Sequence, residues 1–222
     1  MRAFKLSKVE LLLCLCIRHC DYLEKDKIVA LYNELGDDLV YSTAKKNGVA
    51  SIVAHALSNC LDCELEPRWV VEYSEIELKL KAYMEELDKV ASLLSGYQIP
   101  LLALKKSGIT IGMYPYYGAC PMGDIDVLVS KSQFRKAHKI LTSKGYLLKF
   151  RCEFESDSLE AAEEGGGAEY SVELENGRHL WFELQGRPVA GRWIQPDQEP
   201  NADDLIERSI PIKNSNVRLL SP

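Results

Sequence analysis

Two aspartates one residue apart, Asp124 and Asp126 in the run Met122-Gly-Asp-Ile-Asp-Val-Leu-Val129, bear most directly on chemistry in this chain. The alternation of Ile125, Val127 and Val129 marks a strand. Residues two apart in a strand share a face, so both carboxylates project the same way, about 7 Å apart. Like charges on a half-buried face repel and lose hydration unless a cation neutralises them. The pattern points to a divalent metal site, and its plain alternative is a solvated strand end. The turn before it, Cys120-Pro-Met-Gly123, closes on Gly123, which leaves room for backbone to approach a ligand.

Two other segments carry matching chemistry. Residues 97 to 105 form an apolar run that reads as a buried strand leading into a loop, Lys105-Lys106-Ser107-Gly108. Backbone N–H groups and an ammonium at such a strand exit can hold phosphate oxygens, against the alternative of a solvated loop. Further on, Glu169 to Glu175 and Arg178 to Gln185 alternate around Asn176-Gly177, a hairpin signal. A two-residue turn there places Glu183 on the face of Trp181, Val172 and Leu174. An acid on that apolar face completes a three-carboxylate cage with Asp124 and Asp126, or else marks the wet end of an edge strand.

The elements that must position these residues follow from periodicity. Residues 1 to 96 read as helical, with segments near 7 to 20, 24 to 35, 38 to 47 and 49 to 60, and a longer helix from about 68 to 95. In the long helix Ile76, Leu80, Tyr83, Leu87, Val90 and Leu94 recur at spacings of four and three, the mark of a helix packed on a core. After the acids, Ser130 or Ser132 caps a helix through Phe134, Ala137, His138 and Leu141 that stops at Gly145. A strand follows near 146 to 152. The Glu-, Ser-, Ala- and Gly-rich stretch 153 to 167 reads as a surface loop, and its acidity suits a cationic acceptor.

Composition sets further bounds. With 222 residues, 46% of them hydrophobic, the chain can bury a substantial core. A formal net charge of −6 disfavours non-specific nucleic-acid binding, which depends on a basic surface. The basic start followed by Leu11 to Ile17 reads as a buried helix and not a secretory leader, and no segment is long enough to span a membrane. Seven cysteines, an odd number set mostly in apolar patterns, fit reduced thiols and a cytoplasmic location. A four-thiolate zinc site from Cys16, Cys20, Cys60 and Cys63 stays open as a minor alternative. The four histidines share no metal-ligand spacing.

The order of strand, Leu-Lys segment, Asp-x-Asp strand, helix ending in Gly145-Tyr146 and Phe182-Glu-Leu strand resembles the nucleotidyltransferase superfamily typified by DNA polymerase beta. More narrowly, it resembles the bacterial group of nucleotidyltransferase family proteins. Its Leu-Lys-Gly, Asp-Ile-Asp and Glu-Leu-His segments correspond here to Leu104-Lys105-Lys106, Asp124-Ile125-Asp126 and Glu183-Leu184-Gln185. The resemblance spans roughly residues 38 to 222 and is specific around 99 to 146. It implies an α+β fold, with a helical N-terminal region over 1 to 96 and a catalytic mixed sheet with flanking helices over 97 to 222. The implied reaction moves a nucleoside monophosphate from a nucleoside triphosphate to a hydroxyl of a small-molecule or protein acceptor. Asp124, Asp126 and Glu183 would hold two Mg2+ ions, for which Mn2+ can substitute, and Lys105, Lys106, Ser107 and Gly123 would meet the triphosphate. The chain departs from the pattern at Lys106, where glycine is expected, near Cys120, where a basic residue is expected, and at Gln185, where histidine is expected. These departures keep a catalytically impaired binding or regulatory module as the alternative. A glycosyltransferase using the same Asp-x-Asp pair is a third reading. Members of the group usually continue with further helices, so the chain reads as a minimal or a shortened form.

Overall fold

Apolar side chains at helical spacing build the first part of the chain into five helices: α1 (Lys8–Cys16), α2 (Lys25–Leu35), α3 (Asp37–Lys46), α4 (Ala50–Cys60) and α5 (Pro67–Ser95). They come from a computed structural model that describes residues 6–18, 24–113, 116–149, 158–174, 177–189 and 197–221. Cys20, of the zinc alternative, lies outside the described residues. The chain divides into two compact units, Met1–Leu80 with Tyr116–Pro121, and Lys81–Pro115 with Met122–Pro222.

In the first unit, α1 starts at a reciprocal cap. The Ser7 hydroxyl accepts the Glu10 N–H while the Glu10 carboxylate accepts the Ser7 N–H at 2.7 Å. Leu12, Leu15, Ile28, Val40, Leu57 and Trp69 form the buried cluster that holds the helices together. Trp69 is fully buried and satisfies its indole N–H by donating to Asp37 Oδ1 at 2.6 Å. Burial pushes the Cys16 thiol up to about 12, with Cys60 nearby adding to the effect, so Cys16 packs as an apolar group. On α5, whose residues from Lys81 onward belong to the second unit, Leu80, Tyr83, Leu87, Val90 and Leu94 are buried and Ile76 is half-buried, so the four-three spacing marks one packed face.

The second unit is built on one mixed sheet. Its strands are β1 (Leu101–Ala103), β2 (Asp124–Leu128), β3 (Leu147–Leu148), β4 (Gly167–Glu173), β5 (His179–Gln185), β6 (Ile210–Pro211) and β7 (Val217–Leu219). Their order is β3-β4-β5-β2-β1-β7-β6. β2 lies near the centre, parallel to β5 and antiparallel to β1, so it is shielded on both edges. Helices α6 (Lys105–Met113), α7 (Phe134–Ser143), α8 (Leu159–Gly165) and α9 (Ala202–Glu207) complete the unit. This is the expected α+β class, a mixed sheet flanked by helices. Among the described residues no helix is long and apolar enough to cross a membrane.

Four local expectations are corrected. Lys105 to Gly108 is not a loop but the first turn of α6. Part of the stretch expected as a loop is α8, where the Ser158 hydroxyl accepts the Ala161 N–H and Ala162 is buried. Residues 150–157 lie outside the described residues. Ser130 begins a short 3-10 turn (Lys131–Gln133) ahead of α7, and its hydroxyl bonds Ser132 at 2.9 Å instead of capping the helix. The fourth correction concerns the hairpin. Val172 pairs with Leu180, and Glu169 with Glu183, so the loop has three residues and Gly177 takes a left-handed φ of 73°. That single residue moves Val172 off the face of Glu183 and puts Glu169 and Ser171 there. Glu175 and Asn176 lie outside the described residues.

Close packing of α6 on β1 explains the glycine in its first turn. A Cβ on Gly108 would stand 2.8 Å from the Ala103 carbonyl oxygen, whereas one on Gly123 would meet nothing within 4 Å. Gly108→Ala is therefore expected to destabilise the protein by about 1–3 kcal/mol, and Gly123→Ala by less than about 0.5 kcal/mol. Thermal melting of the two variants checks this, and equal melting temperatures would contradict it.

Candidate active site

The acids meet because β2 and β5 run parallel in one register, with Asp124 opposite Trp181 and Asp126 opposite Glu183. Paired residues on neighbouring strands share a face, so Asp124, Asp126 and Glu183 all lie on one side of the sheet. The apolar partners Ile125, Val127, Phe182 and Leu184 take the other side and are fully buried. Asp126 is itself buried and is tightly held by its backbone. Its N–H donates to the Ser107 hydroxyl at 2.8 Å, and its carbonyl accepts the Leu104 N–H at 2.9 Å.

Lys105 closes the arrangement. It links β1 to α6 at a positive φ of 47°, and its ammonium lies 2.7 Å from Asp126 Oδ1 and 3.2 Å from Glu183 Oε2. One positive charge thus serves two acids. The Asp126 side chain is 6% exposed and that of Glu183 16%, against 50% for Lys105. Burial raises the Glu183 carboxyl to about 7, the hydrogen bond shared with Asp126 adds to this, and the Lys105 charge only partly offsets it. Burial alone would lower the Lys105 pKa, but the bond to Asp126 and the charges of both acids outweigh it and raise it. The two shifts agree on one picture, an ammonium held by Asp126 and a second acid that keeps a proton to near neutrality.

A carboxyl with a raised folded-state pKa binds more protons folded than unfolded. Its contribution to stability is therefore present at low pH and lost as pH climbs from about 4.5 to about 7. Replacing Glu183 with Gln is expected to remove that slope. The variant should be more stable than the parent above neutrality by on the order of 1–2 kcal/mol. Denaturant melts at low and high pH read the difference, and parallel pH profiles for parent and variant would contradict the assignment.

The residues singled out in the sequence are divided by this geometry. Lys105, Asp126 and Glu183 come together. Asp124 shares their face at the half-buried start of β2, close enough that its charge joins burial in raising the Tyr83 pKa. Among the described residues no group of three or more acids, histidines or cysteines is gathered closely enough to hold a metal ion. The expected three-carboxylate cage is therefore not preformed, and the Lys105 ammonium stands between two of its members. Lys105, assigned to phosphates from sequence, is here a partner of the acids. Ser107 is fully buried and braces the Asp126 backbone, so its hydroxyl does not face a ligand. Lys106 is exposed on the first turn of α6, and Gly123 is exposed with open space about it.

Two residues on this face escaped the sequence reading as site residues. Glu169 extends the row of Asp126 and Glu183 onto β4, which follows only once the hairpin loop is known to have three residues. Gln185 donates from Nε2 to Asp126 Oδ1 at 3.4 Å. Its signal was present, since an amide two residues beyond Glu183 on a strand lies on the acid face.

The donor set suits a hard cation. Asp126 and Glu183 offer carboxylate oxygens, already share one positive charge, and have Asp124 beside them on the same face. No curated protein matches the chain. A family model described as an uncharacterised nucleotidyltransferase matches residues 33–222, a span that includes the whole sheet and each of these acids. The chain belongs to that nucleotidyltransferase family.

Proposed function

We propose that this protein is a Mg2+-dependent nucleotidyltransferase that moves a nucleoside monophosphate from a nucleoside triphosphate to a hydroxyl of a small-molecule or protein acceptor. The observation that carries the reading is the pair Asp126 and Glu183, adjacent on parallel strands and sharing one cation, in a chain of this family. Bound Mg2+ supplies neutralising charge for the triphosphate and a lowered pKa for the attacking hydroxyl. Asp124, Asp126 and Glu183 are the residues that would hold it. Lys105, displaced from the acids, turns its ammonium to the phosphates at the N-terminal turn of α6, whose dipole adds partial positive charge. Lys106, exposed on that turn, adds a second charge. Gly123 leaves the approach to Asp124 open.

The acceptor oxygen attacks the α-phosphorus in line, the bond from that phosphorus to the bridging oxygen breaks, and pyrophosphate leaves. The hydroxyl proton is lost to solvent, its pKa lowered by the metal that Asp124, Asp126 and Glu183 would hold. Positioning and charge neutralisation carry such a transfer, so a few acids and lysines suffice. The net charge of −6 favours a small-molecule or protein acceptor over nucleic acid.

A second reading is favoured by the ion pairing itself. Acids already neutralised by Lys105 suit a binding or regulatory module that has lost turnover. Each α-labelled nucleoside triphosphate, incubated with protein, Mg2+ and pools of hydroxyl-bearing small molecules and proteins, separates the two. Pyrophosphate release with transfer of label supports the enzyme, and nucleotide binding with no pyrophosphate from any triphosphate supports the module.

A further inference from the structure

We infer that Gln185 is a positioning residue for Asp126, an inference that rests on the metal-dependent transfer proposed above. Gln185 ends β5, in register with Leu128 on β2 and Gly167 on β4, so its amide lies on the acid face. It is fully buried. Nε2 donates to Asp126 Oδ1 at 3.4 Å, while Oε1 has no hydrogen-bond partner. The reverse orientation would set two oxygens against each other and strand the amide N–H groups, so the charge of Asp126 fixes which end faces it. A buried amide oxygen without a partner is destabilising. A methionine of similar shape would fill the site without that cost, so what the amide adds is its donor on the acid.

The need for that donor follows from the other contacts of Asp126. Ser107 and Leu104 hold only its backbone. On its carboxylate, Glu183 shares a hydrogen bond that lasts only while it keeps its proton, and Lys105 donates as well, half exposed and the group drawn away when phosphates and metal arrive. Gln185 cannot leave, because it is enclosed. It keeps Oδ1 tethered after Lys105 departs, so the carboxylate meets the cation in one orientation. This is the work of an outer partner that orients a ligand, whose loss weakens metal affinity by about 10- to 100-fold.

The full chain, with Gln185→Met and Gln185→His, tests the assignment by Mn2+ binding, read from the free-ion paramagnetic resonance signal, together with thermal melting. Gln185→Met is expected to melt at or above the parent temperature while binding Mn2+ about tenfold more weakly or worse. Gln185→His keeps a ring N–H for Asp126 and should recover most of the affinity; it also reads the same contact if the methionine variant folds poorly. Unchanged Mn2+ affinity in Gln185→Met overturns the inference and leaves the metal reading standing. A loss of affinity that follows a lowered melting temperature and is not recovered by histidine overturns it as well, by showing a packing role. A parent protein that binds no Mn2+ overturns the metal reading and this inference with it.

Discussion

Asp126→Asn is expected to abolish the proposed nucleotidyl transfer while leaving the fold intact. The substitution removes one negative charge from the most enclosed acid of the site and keeps the volume, the backbone bonds to Ser107 and Leu104, and an amide oxygen able to accept from Lys105. Glu183 then has the ammonium to itself, so melting should shift by less than about 1 kcal/mol. Activity should fall at least about 1000-fold, equivalent to about 4 kcal/mol of transition-state stabilisation, because phosphoryl-type transfer depends on charge neutralisation more than on covalent help. Pyrophosphate release at saturating Mg2+ is the measurement. A variant with near-parent turnover would remove Asp126 from the mechanism, and a collapse in melting temperature would reassign it to structure.

Lys105→Met is expected to have an effect that depends on Mg2+. Without the ammonium, Asp126 and Glu183 face each other across neighbouring strands with no cation between them. The loss is expected to cost about 1–3 kcal/mol, below the value for a fully enclosed pair because the ammonium is half exposed. The cost should be greatest above neutrality, where Glu183 can no longer keep its proton. Millimolar Mg2+ should restore the melting temperature of the variant and raise that of the parent less, since in the parent the ion must displace the lysine. Turnover should nevertheless drop about 100-fold, as the phosphates lose a charged partner. Melting curves of both proteins with and without Mg2+ decide the point. A variant indifferent to Mg2+ would show that the two acids do not form a cation site.

The parts of this molecule that were legible in its sequence are those governed by local periodicity. The four-three spacing on α5 and the alternation of Ile125, Val127 and Val129 around the aspartates state burial directly, because one face of each element must leave water. The parts that were not legible depend on single residues or on contacts far apart in the chain. Whether the hairpin loop has two residues or three is undetermined by Asn176-Gly177, yet it decides whether Val172 or Glu169 shares the face of Glu183. Lys105 to Gly108 looks like a loop because it follows a short apolar run and contains glycine. It is helical because Gly108 lets α6 close onto the Ala103 carbonyl, which is a tertiary reason.

The site divides the same way. Asp124, Asp126 and Glu183 were singled out by residue type and alternation, and they do lie on one face of the sheet. That the ammonium of Lys105 would choose the acids, and that the Ser107 hydroxyl would be spent on a backbone N–H, follows only from the crossing of β1, α6 and β2. Gln185 was read as a missing histidine, when its position on the acid face already pointed to a donor for Asp126.

The most direct test of a cation site between Asp126 and Glu183 is a crystal structure grown with Mn2+ and a non-hydrolysable nucleoside triphosphate, with manganese located by anomalous scattering. The account predicts manganese bound by the carboxylates of Asp126 and Glu183, with the Lys105 ammonium moved onto the phosphates. An ammonium still seated between the two acids, with the nucleotide bound away from this face of the sheet, would contradict it.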